Sequence, residues 1–152
     1  MQWACKSFDE LGNDELYALI KHRIDIFVVE QCCAYAELDN KDSDPNTRHI
    51  LASRNGTLLA YARLLPPGLS YRDSSMGRFA VHRDARGQGL GSQLLDKSVA
   101  QAGELWPESA ITISAQAHLM QFYQRAGFEP VSSEYMEDGI AHIEMHRAAN
   151  AA

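Results

Sequence analysis

The chain has 152 residues, of which 45% are apolar and 22% are charged, close to the usage of ordinary globular proteins. This length predicts one domain over residues 1–152. The net charge of −6 argues against a broad surface for nucleic acid or anionic membranes, and no apolar run approaches the ~20 residues of a membrane span. The first residues lack the basic region and apolar core of a secretory signal, so we expect a cytoplasmic protein.

The first half of the chain predicts a strand, a helix and a hairpin. Residues 2–8 fit a first strand. Asn13 is a suitable N-cap for a helix whose apolar stripe recurs at spacings of three and four, namely Leu16, Leu19, Ile20, Ile24 and Phe27. Two β-rich runs within residues 49–65 flank Asn55-Gly56, the pair favoured by a type I′ turn because both turn residues adopt positive φ.

The second half adds two helices and four strands to the predicted order. A buried strand over residues 76–82 precedes a helix over 89–103, whose inner face is Leu90, Leu94, Leu95, Val99 and Ala102. A strand over 110–115 and a short helix closed by Gly127 follow, and Asp138-Gly139 marks a last hairpin. The order β-α-β-β-β-α-β-α-β-β predicts a mixed α/β (α+β) domain.

A glycine-rich loop lies where the strand over 76–82 gives way to the next helix. Free N–H groups at a helix N-terminus bind anions, and glycines let the backbone approach a phosphate closely. A Walker loop is excluded because no lysine follows Gly91, and Ser92 stands where a dinucleotide fingerprint requires its third glycine. The remaining pattern is Arg/Gln-x-x-Gly-x-Gly, matched at every fixed position by residues 86–91.

This third pattern resembles the coenzyme A pyrophosphate loop of the GNAT N-acetyltransferases. Residues 116–128 resemble a second signature of that family, in which a tyrosine, here Tyr123, lies four residues before the Gly127-Phe128 pair. The usual asparagine seven residues before the tyrosine is replaced by Gln116, which is one methylene longer. Three further segments look like the ElaA-like branch of the family: residues 27–42, 115–118 and 137–145.

The resemblance implies a fold, a co-substrate and a set of site residues. The fold would have a central, mostly antiparallel sheet, splayed where acetyl-CoA binds and flanked by helices. The pyrophosphate would be held by Arg86, Gly87, Gln88, Gly89, Leu90, Gly91 and Ser92. The pantetheine arm would contact main-chain groups of Phe79, Ala80 and Val81, and Gln116 occupies the position of the asparagine that contacts it. The amine would attack the thioester directly, with Tyr123 as general acid for the CoA thiolate.

The general base and the acceptor stay open at this stage. Many relatives carry a glutamate on or near the strand before the phosphate loop, whereas residues 76–82 carry Arg78 and no acid. The possible bases are Glu30, Glu37, His118 and Glu144. Residues 30–44 hold five acidic residues against Lys41, which indicates either a solvated loop or a border of the acceptor site that favours cationic amines.

The remaining chemistry-bearing residues point to no second kind of site. Cys5, Cys32 and Cys33 are odd in number, two of them adjacent, which favours free thiols over a disulfide framework. His142, Glu144 and His146 would share one strand face but fit no metal motif, so no metal site is predicted.

Three other functions compete with acetyl transfer. The first is a transferase with a longer acyl donor, since residues 27–42 are similar to those of autoinducer synthases, which share this architecture. The second is a non-catalytic CoA-binding sensor, and the weakest is an enzyme with a catalytic cysteine. The acceptor is expected to be a small-molecule or peptide amine, and a homodimer is possible.

Overall fold

A computed structural model describes residues 1–149. Its strands are β1 (Gln2–Lys6), β2 (Arg48–Arg54), β3 (Thr57–Leu65), β4 (Ser75–Val81), β5 (Ile111–Gln116), β6 (Glu129–Pro130), β7 (Tyr135–Glu137) and β8 (Ile140–Arg147). Its α-helices are α1 (Asn13–Ile24), α2 (Leu90–Leu105) and α3 (Met120–Gln124). A π-helical segment, Asp25–Glu30, continues α1, and short 3-10 turns cover Phe8–Glu10, Arg83–Ala85 and Ala117–Leu119.

The strands form two antiparallel sheets that meet along β4 and β5. One sheet has the order β1-β2-β3-β4, and the other has the order β5-β8-β6 with β7 also paired to β8. A parallel bridge between Ser74 and Ile111 joins them, where the Thr112 N–H donates to the Ser74 carbonyl at 2.9 Å. Beyond this bridge β4 and β5 diverge, and we call the opening between them the wedge. The predicted mixed fold with a splayed, mostly antiparallel sheet is therefore confirmed.

A bulge in β4 changes its direction next to the wedge. Tyr61 pairs with Ala80 and Arg63 pairs with Gly77, so Ala62 alone faces both Arg78 and Phe79. Arg78 has φ +54°, a left-handed conformation that is uncommon for a residue with a side chain. Such a bulge re-aims the strand and interrupts its ladder. It therefore turns the second half of β4 away from its regular pairing with β3, where the wedge opens.

The predicted elements are confirmed, with small changes at their ends. Asn13 is the first residue of α1, and the N-cap is Gly12, whose N–H donates to the Glu15 carboxylate at 2.9 Å. Phe27 lies beyond α1 in the π-helical segment. Both predicted tight turns have two residues at positive φ, with 52° and 78° at Asn55-Gly56 and 50° and 77° at Asp138-Gly139.

The core lies between the sheets and α2. Buried apolar side chains of β2 to β5 and β8 pack against the inner face of α2, which includes Leu90, Leu94, Leu95 and Ala102. A smaller cluster of Leu19, Leu51 and Tyr61 seats α1 on the other face of the first sheet. The two helices thus fix the positions of β4 and of the loop that follows it. Within residues 1–149 no helix is both long and apolar enough to cross a membrane.

Candidate active site

A cavity of about 870 Å³ occupies the wedge and continues past it. One end is formed by the glycine loop and the start of α2, and the middle by β4 and β5. The π-helical segment also lines the cavity, and the other end is lined by residues from the loop before β2 and the β7–β8 hairpin. We call these the phosphate end and the acceptor end. An extended ligand about as long as the cavity could contact all of these elements at once.

The phosphate end is built around the N-terminus of α2. Gly87 and Gly89 both have φ +78°, and Gly89 is the N-cap residue. The first intrahelical bond runs from the Gln93 N–H to the Gly89 carbonyl at 3.1 Å, so the earlier N–H groups have no partner within the helix. No acidic residue lies in the first turn of α2. These groups, together with the positive end of the helix dipole, form an anion-binding site.

The side chain of Arg86, next to this loop, is hydrogen-bonded to other groups of the protein. Its guanidinium forms a bidentate ion pair with Glu30, at 2.8 Å and 3.1 Å, and its Nε donates to the Val81 carbonyl at 2.9 Å. The sequence suggested a cation directed at phosphate oxygens. In the structure this cation instead fastens the π-helical segment to the end of β4, which leaves the backbone N–H groups as the main anion donors.

The carbonyls at the end of β4 are partly engaged by side chains. The Ala80 carbonyl lies 2.8 Å from Nε2 of the buried His22. Burial lowers the pKa of His22, so the ring is neutral at pH 7 and donates through Nε2–H. The Ala80 carbonyl also faces Tyr61 in the β3–β4 ladder, so its two lone pairs are both engaged, whereas the Val81 carbonyl accepts from Arg86 and can accept one more hydrogen bond.

Tyr123 lies on the wall of the wedge within an aromatic cluster. Its ring packs edge-on against Phe79, Phe122 and Phe128, with centroids 5.9, 5.2 and 6.0 Å away. The side chain is buried yet lines the cavity. Burial raises the pKa of its hydroxyl, which therefore stays protonated well above neutral pH and can donate a hydrogen bond into the cavity.

Three arginines and three carboxylates form a charge network beside the acceptor end. Arg23, fully buried, donates to Glu37 and to Asp42, each at 2.6 Å. Arg63 pairs with Asp39 and Asp42 at 2.8 Å and 3.1 Å. Arg78, from the β4 bulge, pairs with Glu37 at 2.9 Å and with Asp39 at 3.5 Å. With three charges of each sign, the network is neutral overall.

This network changes the interpretation of the acidic segment. Glu37, Asp39 and Asp42 were expected either to be solvated or to attract cationic acceptors. Instead Glu37 is 4% exposed, and all three carboxylates are neutralised by arginine. The solvated-loop interpretation is therefore wrong for Glu37, whereas a preference for cationic acceptors stays a prediction. The role of the three carboxylates in the structure is to fix the chain before β2 against β3 and β4.

The predicted site residues are mostly brought together. The cavity is lined by Phe79, Ala80, Val81, Arg86, Gly87, Gly89, Leu90, Gly91, Gln116 and Tyr123. Gln88 and Ser92 are exposed and do not line it. The Gln116 amide nitrogen lies 3.5 Å from the Gln31 amide oxygen, so this residue links β5 to the end of the π-helical segment.

The four possible bases are placed very differently. Glu37 and Glu144 do not line the cavity, and Glu37 already accepts bonds from Arg23, Arg78 and the Tyr35 hydroxyl. Glu30 lines it but is paired with Arg86. His118 lines it from the turn after β5 and is exposed. Of the four, His118 and Glu30 are the two that a bound acceptor could reach.

Several polar residues at the acceptor end escaped sequence reasoning. Ser114, Glu137 and His142 line the cavity from β5, β7 and β8, and Tyr71 lines it from the loop before β4. They lie far apart in the chain and form no motif. The available signal was the Asp138-Gly139 turn, which places Glu137 at the end of a hairpin strand, close to the start of β8.

Comparison with known proteins identifies the family. The model of the acetyltransferase (GNAT) domain matches residues 18–149. The chain belongs to the GNAT acetyltransferase family. It is 41% identical to the ElaA protein of Escherichia coli over 147 residues, covering 97% of this chain and 96% of ElaA. The resemblance to the ElaA-like branch is thus confirmed.

Solved structures agree with this assignment. An acyl-CoA N-acyltransferase from Pseudomonas aeruginosa is 44% identical with a TM-score of 0.93, covering 97% of this chain and all of that one. The crystal structure of E. coli ElaA gives 40% identity and a TM-score of 0.91, covering 96% and 98% of the two chains. A CoA-dependent acyl-homoserine lactone synthase gives a TM-score of 0.78 at 20% identity, covering 96% and 82%, and shares the fold.

Proposed function

We propose that the protein transfers an acetyl group from acetyl-CoA to a primary amine. The observation that carries this proposal is the continuous cavity that joins an anion-binding helix terminus to a wedge with Tyr123 on its wall. Acetyl-CoA combines a pyrophosphate, an extended arm and a thioester in that order. The cavity offers a matching group for each of these parts in the same order.

The glycine loop and the wedge would hold the donor. The N–H groups around Gly87 to Gly91 would bind the pyrophosphate, which lies against the positive end of α2. The arm would extend along β4 and pair with its backbone as an added strand does. Phe79, outside the regular register at the bulge, and the second lone pair of the Val81 carbonyl are the main-chain groups that can pair with it.

Tyr123 would act on the leaving group. After the amine attacks the acetyl carbon, the C–S bond breaks and leaves a thiolate, whose ordinary pKa is about 8.5. A phenol kept protonated by burial donates a hydrogen bond to this thiolate, and as general acid it would pass on its proton and be reprotonated by a proton that the amine releases. Its aromatic neighbours exclude water, which strengthens the hydrogen bond.

The test measures release of free CoA from acetyl-CoA across a panel of amines. Tyr123→Phe should lower kcat by about 100-fold, because general acids contribute at least this factor, while the Kd for acetyl-CoA stays within about threefold. Tyr17→Phe is the matched control, since Tyr17 is 73% exposed on α1. An unchanged kcat in Tyr123→Phe would remove this residue from the mechanism.

Two other outcomes would redirect the proposal. The P. aeruginosa relative is an acyl-CoA N-acyltransferase, a class that covers acetyl and longer acyl groups, so a longer acyl donor is the second candidate. A panel of acyl-CoA donors separates the two. Binding of acetyl-CoA without transfer to any amine would instead indicate a CoA-binding sensor.

A further inference from the structure

Four polar residues form a connected cluster at the acceptor end of the cavity. The Glu137 carboxylate lies 3.3 Å from Nε2 of His142 and accepts from the Ser114 hydroxyl at 3.4 Å. Ser114 and Tyr135 are joined by their hydroxyls at 2.5 Å, and the Tyr135 ring stacks on His142. We call these four residues the Glu137 cluster. It draws on β5, β7 and β8, so three strands of the second sheet fix its geometry.

The charge of Glu137 is not neutralised by an arginine, as the charges of Glu30 and Asp39 are. Glu30 and Asp39 also line the cavity, but each is paired with an arginine guanidinium. Glu137 instead faces an imidazole and a hydroxyl, and its side chain is 50% exposed. An ammonium group entering the acceptor end would therefore find a carboxylate whose lone pairs are available.

The hydrogen bonds of His142 determine how a proton could be held. Its Nδ1 lies 2.7 Å from the Ile140 carbonyl, which can only accept, so Nδ1 must carry a hydrogen. In the neutral ring Nε2 then has a lone pair directed at the Glu137 carboxylate. Two acceptors thus face each other across 3.3 Å. A proton placed between them converts this unfavourable contact into a charge-assisted hydrogen bond.

Other titratable groups border the cluster. Tyr71, from the loop before β4, has its pKa raised to about 12, first by burial and further by its neighbours Tyr135, Glu144 and Glu137. It therefore stays protonated during any neutral-pH reaction. Asp138 follows Glu137 directly and uses its backbone carbonyl to accept from Cys33. Within the Glu137 cluster, the groups that can exchange a proton with the acceptor are thus Glu137 and, through it, His142.

We propose that Glu137 binds the acceptor as an ammonium ion and removes its first proton. This inference rests on the proposed function. An N–H bond of the ammonium breaks, the proton passes to Glu137 and is shared with His142 Nε2, and the nitrogen lone pair then forms the bond to the acetyl carbon. A second N–H proton is lost as the amide forms, and the thiolate gains one through Tyr123. Glu137 is a catalytic residue in this scheme and His142 is a positioning residue. The substrate class is aliphatic primary amines.

The decisive variant is Glu137→Gln, measured as kcat/KM for the best aliphatic amine of the panel between about pH 7 and pH 9. We expect a loss of about 100-fold at pH 7. The ratio of wild-type to Glu137→Gln kcat/KM should fall by about tenfold for each unit of pH increase. The reason is that the free-amine fraction rises tenfold per pH unit below an amine pKa of about 10.4. Glu134→Gln is the matched control, since Glu134 is exposed and does not line the cavity. It should remain within about twofold of wild type at each pH.

His142→Asn tests the positioning role. It should lower kcat by about tenfold and leave KM for the amine nearly unchanged, because the carboxylate that binds the ammonium is still present. A rise of about tenfold in KM for the amine would indicate that His142 contacts the acceptor directly, and it would overturn the positioning role.

The outcomes separate the inference from the proposed function. Wild-type kcat/KM in Glu137→Gln, or a loss that is the same at every pH, would overturn the role of Glu137 while acetyl transfer stands. A wild-type protein that acetylates no amine would overturn both. If Glu137→Gln no longer binds acetyl-CoA, Glu137→Asp decides the matter. Glu137→Asp keeps the negative charge, so its kcat/KM at pH 7 should be at least about tenfold higher than that of Glu137→Ala. Equal kcat/KM values for these two variants would contradict the proposal.

Discussion

Glu37 offers the sharpest test of how the segment before β2 is held. Replacing Glu37 by glutamine keeps the size of the side chain and one oxygen acceptor but removes the charge. Arg23, which is fully buried, then retains Asp42 as its charged partner, and Arg78 retains Asp39. The substitution therefore measures how much one buried negative charge contributes to the free energy of unfolding when the shape of the site is unchanged.

The expected cost follows from burial. Breaking a buried ion pair by removing one partner destabilises a protein by about 3–5 kcal/mol, because the other charge is left uncompensated. Since Asp42 still lies 2.6 Å from Arg23, we expect the lower end, about 3 kcal/mol. For a chain of this length about 1 kcal/mol lowers Tm by 2–4 °C, so the loss corresponds to roughly 9 °C.

The assay is urea denaturation followed by the fluorescence of Trp3 and Trp106. Glu37→Gln should lower the midpoint without changing the slope m. Glu30→Gln is the control, because its ion pair with Arg86 is 42% exposed on both sides and should contribute less than about 1 kcal/mol. A Glu37→Gln loss below about 1 kcal/mol, or an equal loss in both variants, would refute the argument from burial.

Two further predictions concern the loop and the pH dependence of stability. Gly89→Ala and Gly56→Ala should each lose about 1 kcal/mol of stability, because both glycines have φ +78° with open space around them. Only Gly89→Ala should also weaken acetyl-CoA binding in calorimetry, and equal Kd values would contradict the loop assignment. For Asp39, burial alone would raise the pKa, but hydrogen bonds and charges from Arg63 and Arg78 lower it to about 2. The stability it contributes is present above its unfolded pKa of about 3.9 and is lost as pH falls toward 2. Asp39→Asn should therefore flatten the fall of Tm over this range, while Asp96→Asn, on the exposed face of α2, should not.

The glycine loop and the helix start that follows it could be predicted from the sequence because their pattern is local. A phosphate-binding loop needs glycines at fixed spacing and a helix start, and both lie within residues 86–91. The two type I′ turns were predictable for the same reason, since the positive φ values fall on adjacent residues. The position of Tyr123 on the cavity wall agrees with a motif that spans only a few residues, and its catalytic role stays a prediction.

The acceptor half could not be predicted because its partners are distant in the chain. Arg23, Glu37 and Arg78 come from three elements, and no spacing rule shows that they neutralise one another. The acidic run therefore suggested a charge that the folded protein does not present. Likewise, Glu137 meets His142 only through the register of β7 on β8, which the sequence indicates at the turn but not at the side chains.

The bridge between Ser74 and Ile111 has a consequence for how a bound donor would affect the stability of the protein. Main-chain pairing joins the two sheets at the narrow end of the wedge. At the wide end, an extended pantetheine arm would contact both sheets and hold them together. Ligand binding would then stiffen the whole protein and raise its melting temperature in proportion to RT ln(1 + [L]/Kd). Because free CoA has the same arm and pyrophosphate, bound CoA would stabilise the contact between the sheets as much as the bound donor does. Release of CoA, rather than formation of the amide bond, would then be the step after which the two sheets can move apart at the wide end of the wedge.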